Sequence, residues 1–297
     1  GSCTPAVLRA SAAAEALGLP SATLVCEGFL GLAATAARGL GLPALPVEFG
    51  AERARGTLQR QPPHVGEHNA EVLAEAGAHI ALNALTPKYL NNTCAEIAKA
   101  SGRRVEPIVA DVTKTDTVKR AVDEVMAKFG RIDVLVNALG DAIRKPLVAL
   151  PGKEGSVSAS DADIDFVMDI NLTEALLCTR AVGQHMLARR FGKVINIAAW
   201  TAKTRGGEMV LYTTAKTALA GFTRAQALEW APYNVHVNAI GPGSFPDVVT
   251  AGPERFKEMT ERAKKNVPLG RAGQLREVGL LALYLASSAS DYMTGQT

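Results

Sequence analysis

A tyrosine and a lysine four positions apart are the pair in this sequence best suited to proton transfer. On a helix, Tyr212 and Lys216 lie on the same face. An ammonium group within a few Å of a phenol stabilises the phenolate and so lowers a pKa that is ordinarily about 10. The pair therefore predicts a general acid or base that works near neutral pH. The same spacing is also typical of a half-buried helix face, so the surrounding elements must decide.

Short β-branched runs alternate with helical patterns from residue 78 onward. The predicted strands cover residues 78–83, 104–110, 132–136, 193–199 and 234–240. The helical patterns between them include residues 115–129, 163–190 and 211–231. This alternation indicates right-handed crossovers and therefore an α/β fold with a doubly wound, Rossmann-like parallel sheet covered on both faces.

Unusual residues follow several of these strands. Asp111 follows one strand, the turn from Asn137 to Gly140 follows the next, and Gly241 and Gly243 follow the last. In an open parallel sheet, ligands bind beyond the carboxyl ends of the strands. These positions are therefore the candidate binding surface.

The order of these motifs resembles that of the short-chain dehydrogenase/reductase family. The matching segments, from about residue 64 to the end, are DVT, NALG for the family's NNAG, INLT, VINIAA, YTTAK and VNAIGPG. The resemblance implies that Tyr212 exchanges a proton with a substrate oxygen, that Lys216 holds the cofactor ribose and tunes Tyr212, and that Asn171 supports a proton-relay water. The implied nicotinamide-cofactor contacts are Asp111, Asn137, Gly140, Lys216, Gly241 and Gly243.

Two departures from the family pattern weaken the predicted site. Ala199 stands thirteen residues before Tyr212, where the family carries a serine, and Thr201 lies too far along the loop to be a simple substitute. The family's glycine-rich phosphate loop is replaced by Arg60, Pro62, Pro63 and His64, and Gly66 is the one glycine kept. In addition, Leu85 stands where relatives often carry an arginine that binds the extra phosphate of NADP. Each proline removes an N–H that could face phosphate. We therefore expect NAD(P) to bind weakly or not at all.

The N-terminal part of the chain does not match the family. We predict an atypical α/β segment at residues 1–50, a linker at 51–65 and the Rossmann-like domain at 66–297. The family's first strand is central in its sheet, so residues 21–26 or 45–49 must fill that slot. The segment resembles the family named for its selenocysteine- or cysteine-Gly-Ser-Cys motif, on the strength of the opening residues GSC. The chain therefore resembles a fusion.

Composition narrows the classes of partner. The net charge of +3 is spread without a basic stripe, which argues against nucleic acid. No apolar run approaches the length of a membrane span, and four cysteines and five histidines show no metal-ligand spacing. We expect a cytoplasmic protein that acts on a small molecule, without a metal. The family resemblance implies a homo-oligomer, a dimer or a tetramer.

Three functions remain open from the sequence. The first is an atypical oxidoreductase of ketones or secondary alcohols. The second is a cofactor-independent hydrolase, such as an esterase, or a lyase that uses Tyr212, Lys216 and Asn171. The third is a non-catalytic binding protein that kept the fold.

Overall fold

The computed structural model describes residues 46–49, 65–153, 155–202, 209–246 and 252–297. The predicted N-terminal segment other than residues 46–49, which includes the strand candidate at 21–26, and the linker up to residue 64 lie outside these ranges. At the start of the predicted Rossmann-like domain, α1 covers Val65–Glu75.

Six parallel strands form a single sheet within the described part of the chain. They are β1 Pro46–Phe49, β2 Ile80–Ala84, β3 Val105–Val109, β4 Val134–Asn137, β5 Gly192–Ile197 and β6 Val235–Ile240. Their order across the sheet is β3-β2-β1-β4-β5-β6. The direction of the crossovers reverses between β1 and β4, so the carboxyl edge at that point is where such a fold opens a crevice. The doubly wound, Rossmann-like prediction is confirmed.

Strand β1 fills the central slot that the family pattern leaves open. Val47 pairs with Ala81 of β2 on one side and with Leu135 of β4 on the other, both in parallel. A central strand shields the backbone N–H and C=O groups of both neighbours, which would otherwise be open edges. The prediction that residues 45–49 or 21–26 pair beside β2 is confirmed for the described residues 46–49.

Helices cover both faces of the sheet. They are α1 Val65–Glu75, α2 Pro87–Ser101, α3 Thr115–Phe129, α4 Asp161–Met168, α5 Glu174–Arg189, α6 Val210–Trp230, α7 Pro253–Asn266 and α8 Leu275–Ala286. Side chains of α1, α2 and α8 share one core with Val134 and Val136, whereas those of α3 and α5 share the other with Leu135. Successive strand residues point to opposite faces, and β4 therefore contributes to both cores.

The long helix predicted at 163–190 is interrupted in the structure. A π-helical turn, Asp169–Thr173, separates α4 from α5, and the N–H of Glu174 donates to the carbonyl of Asp169, five residues earlier. Such turns place an extra residue in the helix and often mark functional sites. Here the extra residue brings Asn171 inward, where it is fully buried.

No helix in the described ranges is both long enough and apolar enough to cross a membrane.

Candidate active site

Lys216 is anchored between the ends of two strands. Its Nζ donates to the carbonyl oxygens of Leu139, at 3.0 Å, and Ile197, at 2.8 Å. The side chain leaves α6 towards the sheet and is buried. Burial lowers the pKa of Lys216, and the charge of Glu174 opposes that decrease. The ammonium is therefore held rigidly at the carboxyl edge of β4 and β5.

Tyr212 lies one turn earlier on α6, at the border of a small apolar cluster. Its ring packs near Val167, Leu211 and Ala215. Burial raises the pKa of Tyr212, and the negative charge of Asp141 raises it further. The structure thus differs from the expectation that Lys216 lowers the phenol's pKa. The physical reason is that burial and the charge of Asp141 both disfavour the phenolate, while the ammonium of Lys216 is hydrogen-bonded to two carbonyl oxygens.

Asn171 connects the interrupted helix to the turn after β4. Its Nδ2 donates to the carbonyl oxygens of Asp141, at 2.7 Å, and Val167, at 2.9 Å. Its Oδ1 is buried and has no hydrogen-bond partner among the described residues. Since a buried amide oxygen without a partner is costly, this atom is suited to bind a water or a ligand, as the family resemblance implied.

Gly140 leaves the space in which these groups meet. A Cβ at this position would lie 2.8 Å from Oδ1 of Asn171 and 2.9 Å from Nζ of Lys216. Side chains of residues other than glycine would collide with both groups. The predicted catalytic residues Lys216 and Asn171 are therefore brought together directly beside a predicted cofactor-contact residue.

Asn137 does not face the crevice as the resemblance implied. Its side chain is fully buried, and its Nδ2 donates to Thr179 at 3.1 Å and to Asn196 at 2.7 Å. Asn196 in turn donates to Thr223 at 2.9 Å. This buried ladder joins β4 and β5 to the helices α5 and α6. Asn137 therefore holds the strand ends in register, and its hydrogen bonds point into the protein.

The remaining predicted contacts lie at the same edge of the sheet. Oδ1 of Asp111 accepts hydrogen bonds from the backbone N–H, at 3.0 Å, and the hydroxyl, at 2.6 Å, of Thr113, which fixes the turn after β3. Gly241 approaches the backbone of Ala199, because a Cβ there would lie 3.3 Å from the carbonyl oxygen of Ala199. Gly243 has open space where a Cβ would project.

Thr201 and Glu174 are two site residues whose burial the sequence did not reveal. Thr201 is buried, and its hydroxyl has no partner in the described structure. Glu174 is fully buried, and neither carboxylate oxygen has a partner there. Burial raises the pKa of Glu174, and the charge of Lys216 opposes that increase. Spacing alone does not indicate Glu174, because the π-helical turn between it and Asn171 interrupts the α-helical period.

The crevice between β1 and β4 has the features of a dinucleotide site. The order of the strands places the switch point there, and α1 follows β1 with its N-terminus towards the same edge, where backbone N–H groups favour an anion. Nζ of Lys216 and Oδ1 of Asn171 lie close to Gly140 at this edge, and both are polar groups of the kind that bind a ribose hydroxyl. The described residues therefore fit a nicotinamide dinucleotide, with Asp111, Gly140 and Lys216 along its length.

Comparison with protein families gives two matches. The family model described as Enoyl-(Acyl carrier protein) reductase matches residues 64–297, which is most of the chain. The UGSC family model matches residues 1–50, a stretch too short to establish membership or a fusion.

Individual relatives are dehydrogenases and reductases. The short-chain reductase protein NovJ of Streptomyces niveus is 35% identical over 239 residues, which are 78% of this chain and 87% of that protein. The 2-dehydro-3-deoxy-D-gluconate 5-dehydrogenase of Escherichia coli K12 is 34% identical over 239 residues, 78% of this chain and 88% of that enzyme. These relatives give no support to a cofactor-independent hydrolase.

Two solved structures with a bound dinucleotide are similar to this fold. A gluconate 5-dehydrogenase from Burkholderia cenocepacia J2315, in complex with NADP and tartrate, has a TM-score of 0.72 and 30% identity, covering 86% of this chain and 92% of that one. An NAD+-bound xylitol dehydrogenase has a TM-score of 0.73 and 27% identity, covering 86% and 96%.

The prediction that NAD(P) binds weakly or not at all is wrong. The relatives just described are dehydrogenases of this fold, and two of them hold NADP or NAD+ in their structures. The prediction gave too much weight to side chains at residues 60–64, which lie outside the described ranges. It gave too little weight to the crevice itself, which depends on strand order and on a helix N-terminus and much less on any one loop side chain.

Proposed function

This chain belongs to the short-chain dehydrogenase/reductase family, and from that premise we propose that it is an NAD(P)-dependent oxidoreductase that interconverts a ketone and a secondary alcohol. The single observation that carries the proposal is the convergence of Lys216 and Asn171 at Gly140, one helical turn from Tyr212. That convergence puts a proton donor and a fixed cation beside the crevice of a parallel sheet.

We propose that the substrate is a polyhydroxylated acid. Support comes from the relatives, which include a 2-dehydro-3-deoxy-D-gluconate 5-dehydrogenase and a gluconate 5-dehydrogenase. Such a substrate carries hydroxyl groups near the reacting carbon and a carboxylate at the far end of its carbon chain. It therefore needs polar groups around the site.

Each residue has a distinct task in this proposal. The nicotinamide, when bound, supplies or accepts the hydride. Tyr212 donates its phenolic proton to the substrate oxygen during reduction and removes it during oxidation. Lys216 holds a positive charge at the end of β5, which stabilises the phenolate left on Tyr212. Asn171 offers its unpartnered Oδ1 to a water or a ribose hydroxyl at Gly140.

Ala199 sets the proposed enzyme apart from its family. The family's serine would donate a hydrogen bond to the substrate oxygen, and loss of one such donor typically costs about 10² to 10³ in rate. We propose that Ala199 leaves the reaction slower and that the hydroxyl of Thr201, buried and without a described partner, does not fully replace the serine. Ala199→Ser should then raise the rate of carbonyl reduction.

The test is an assay of the purified full chain with NADH and NADPH against 5-keto-gluconate and related keto acids. We expect oxidation of NADH or NADPH, which is monitored by absorbance. Tyr212→Phe should reduce the rate at least about 10²-fold. Tyr233→Phe, which removes the hydroxyl of an exposed tyrosine just beyond α6, is the matched control and should leave the rate unchanged. Dinucleotide oxidation that survives Tyr212→Phe would refute the assignment.

We propose two further features that concern the whole chain. Residues 1–50 form an N-terminal segment of separate origin, which the match of residues 1–50 to the UGSC family model supports.

The chain also forms a homodimer through α5 and α6, which carry the exposed apolar side chains of Leu176 and Leu228. Sedimentation of the wild type and of Leu228→Glu tests the dimer, because a charge at the interface should favour the monomer.

A further inference from the structure

Behind the proposed catalytic groups lies a buried carboxylate for which the proposed reaction has no task. Glu174 is the first residue of α5, immediately after the π-helical turn that carries Asn171. It is fully buried, although glutamate is almost never fully buried unless it is paired. Glu174 therefore needs a physical explanation.

The position of Glu174 places it beside Lys216. Asn171 lies three residues before it, in the π-helical turn that ends where α5 begins. Oδ1 of Asn171 and Nζ of Lys216 both lie within 3 Å of the position that a Cβ on Gly140 would take. The π-helical turn also packs directly against α6. Glu174, Asn171 and Lys216 thus border one buried polar region.

Several hydrogen-bonding atoms in this region have no partner among the described residues. The bonds to Leu139 and Ile197 occupy two of the three N–H donors of Lys216. Both oxygens of Glu174 and Oδ1 of Asn171 are buried and have no partner in the described part of the protein. Donor and acceptors therefore lie in one buried region, and unpaired buried groups of this kind are commonly bridged by water.

We propose that Glu174 is a positioning residue for the proposed oxidoreductase reaction, one that keeps Lys216 protonated beside Tyr212. It acts through Lys216 and does not itself touch the substrate or cofactor. The negative charge of Glu174 favours the ammonium form of Lys216 through space, without a direct hydrogen bond between the two side chains.

The charges around the pair are few. Lys216 is the charged group that acts on Glu174, and Glu174 is the one that acts on Lys216. On α5, the thiol of Cys178 is buried, and the charge of Glu174 adds to the increase in its pKa that burial causes. On the loop after β4, Asp141 acts on Tyr212. Removal of the charge of Glu174 should therefore lower the pKa of Lys216.

The first measurement is the pH dependence of dinucleotide-linked reduction in Glu174→Gln. Without the carboxylate, the pKa of Lys216 should fall, so the rate should decline at a pH about one unit lower than in the wild type. A purely structural role would lower the rate equally at all pH values and would overturn the proposal. Asp169→Asn is the control, because Asp169 is a partly exposed carboxylate in the adjoining π-helical turn, and its profile should match the wild type.

The second measurement requires no activity. Urea unfolding midpoints of Glu174→Gln, Lys216→Met and the double variant are compared with the wild type at pH 7 and pH 9. If the two groups interact, the double variant should shift the midpoint by less than the sum of the single shifts. Additive shifts at both pH values would overturn the proposal. Should Glu174→Gln fail to fold, Glu174→Met, of similar length and without charge, takes its place.

The two measurements separate the two hypotheses. If the wild type oxidises no dinucleotide, the proposed function fails, and the unfolding cycle still decides whether Glu174 supports Lys216. If reduction depends on Tyr212 but the Glu174→Gln profile is unshifted, the proposed function stands and the role of Glu174 is refuted.

Discussion

Lys216 donates a 2.8 Å hydrogen bond to the carbonyl oxygen of Ile197, the last residue of β5. This bond joins the helix that carries Tyr212 to the strand end beside it. The position of the ammonium is consequently fixed by the backbone of the sheet. A change at Lys216 should therefore disturb both the charge and the geometry of the site.

Lys216→Arg keeps the positive charge but should lose at least about 10² in the rate of dinucleotide-linked reduction. The planar guanidinium is larger than the ammonium and cannot occupy the space between Leu139, Ile197 and Gly140. Steady-state kinetics of the purified variant provide the measurement. Lys119→Arg, on the exposed face of α3, is the control and should leave the rate unchanged. Lys193→Arg is unsuitable for this purpose because Lys193 is also buried. A Lys216→Arg variant with wild-type kinetics would show that the bond to Ile197 is dispensable.

Gly140→Ala should reduce kcat/KM at least about tenfold while the protein stays folded. The added methyl would lie 2.8 Å from Oδ1 of Asn171 and 2.9 Å from Nζ of Lys216, so one of the two must move. The measurement is kinetics together with the circular dichroism melting curve. Gly152→Ala, in the loop before α4, is a contrasting case. A Cβ there would meet nothing within 4 Å, but the φ of 72° at this position would be strained for alanine. That variant should alter stability more than rate.

Gly279→Ala should destabilise the protein by about 1 to 3 kcal/mol. A Cβ on Gly279 of α8 would lie 2.8 Å from a methyl group of Val72 and 3.0 Å from the carbonyl oxygen of His68, both in α1. Urea unfolding measures the change. Gly221→Ala is the matched control within α6, where the nearest atom to the new methyl is 3.9 Å away. It should stabilise by up to about 1 kcal/mol, because alanine is the better helix former.

Truncation of the N-terminus should separate the role of β1 from that of the segment before it. A chain that lacks residues 1–44 retains Pro46–Phe49 and should remain soluble. Loss of residues 1–50 also removes β1, which would leave unpaired edges on β2 and β4 and lead to aggregation. Soluble yield and the circular dichroism spectrum of both truncated forms measure the difference. Equal solubility would mean that another segment can fill the central slot.

Asp163→Asn should lower the stability of the protein above about pH 4 more than it does near pH 2. The ammonium of Lys145, with hydrogen bonds from Ser160, lowers the pKa of Asp163 from 3.8 to about 2. Between those values the unfolded state binds more protons, so the stability that Asp163 contributes is present above about pH 4 and is lost as the pH falls towards 2. Unfolding midpoints from pH 2 to 7 should rise less steeply in Asp163→Asn than in the wild type. Parallel profiles would show that the contact with Lys145 contributes nothing to stability.

Sequence alone determined the fold class and indicated which residues form the candidate site. Strand and helix periodicity from residue 78 onward located five of the six strands, and α3 occupies the predicted range of 115–129. The spacing of Tyr212 and Lys216 and the order of the motifs located the carboxyl edge. These signals are local, because helix and strand periods are written in neighbouring residues.

Tertiary structure alone decided which polar groups face one another. Asn137 turns inward to Thr179 and Asn196, and Glu174 is buried in the same region as Lys216, although neither fact is visible in local spacing. The direction of the shift in the pKa of Tyr212 also depended on burial and on Asp141, a residue 71 positions away in the sequence. Burial and long-range electrostatics arise only when distant segments pack together, and for that reason the sequence could not supply them.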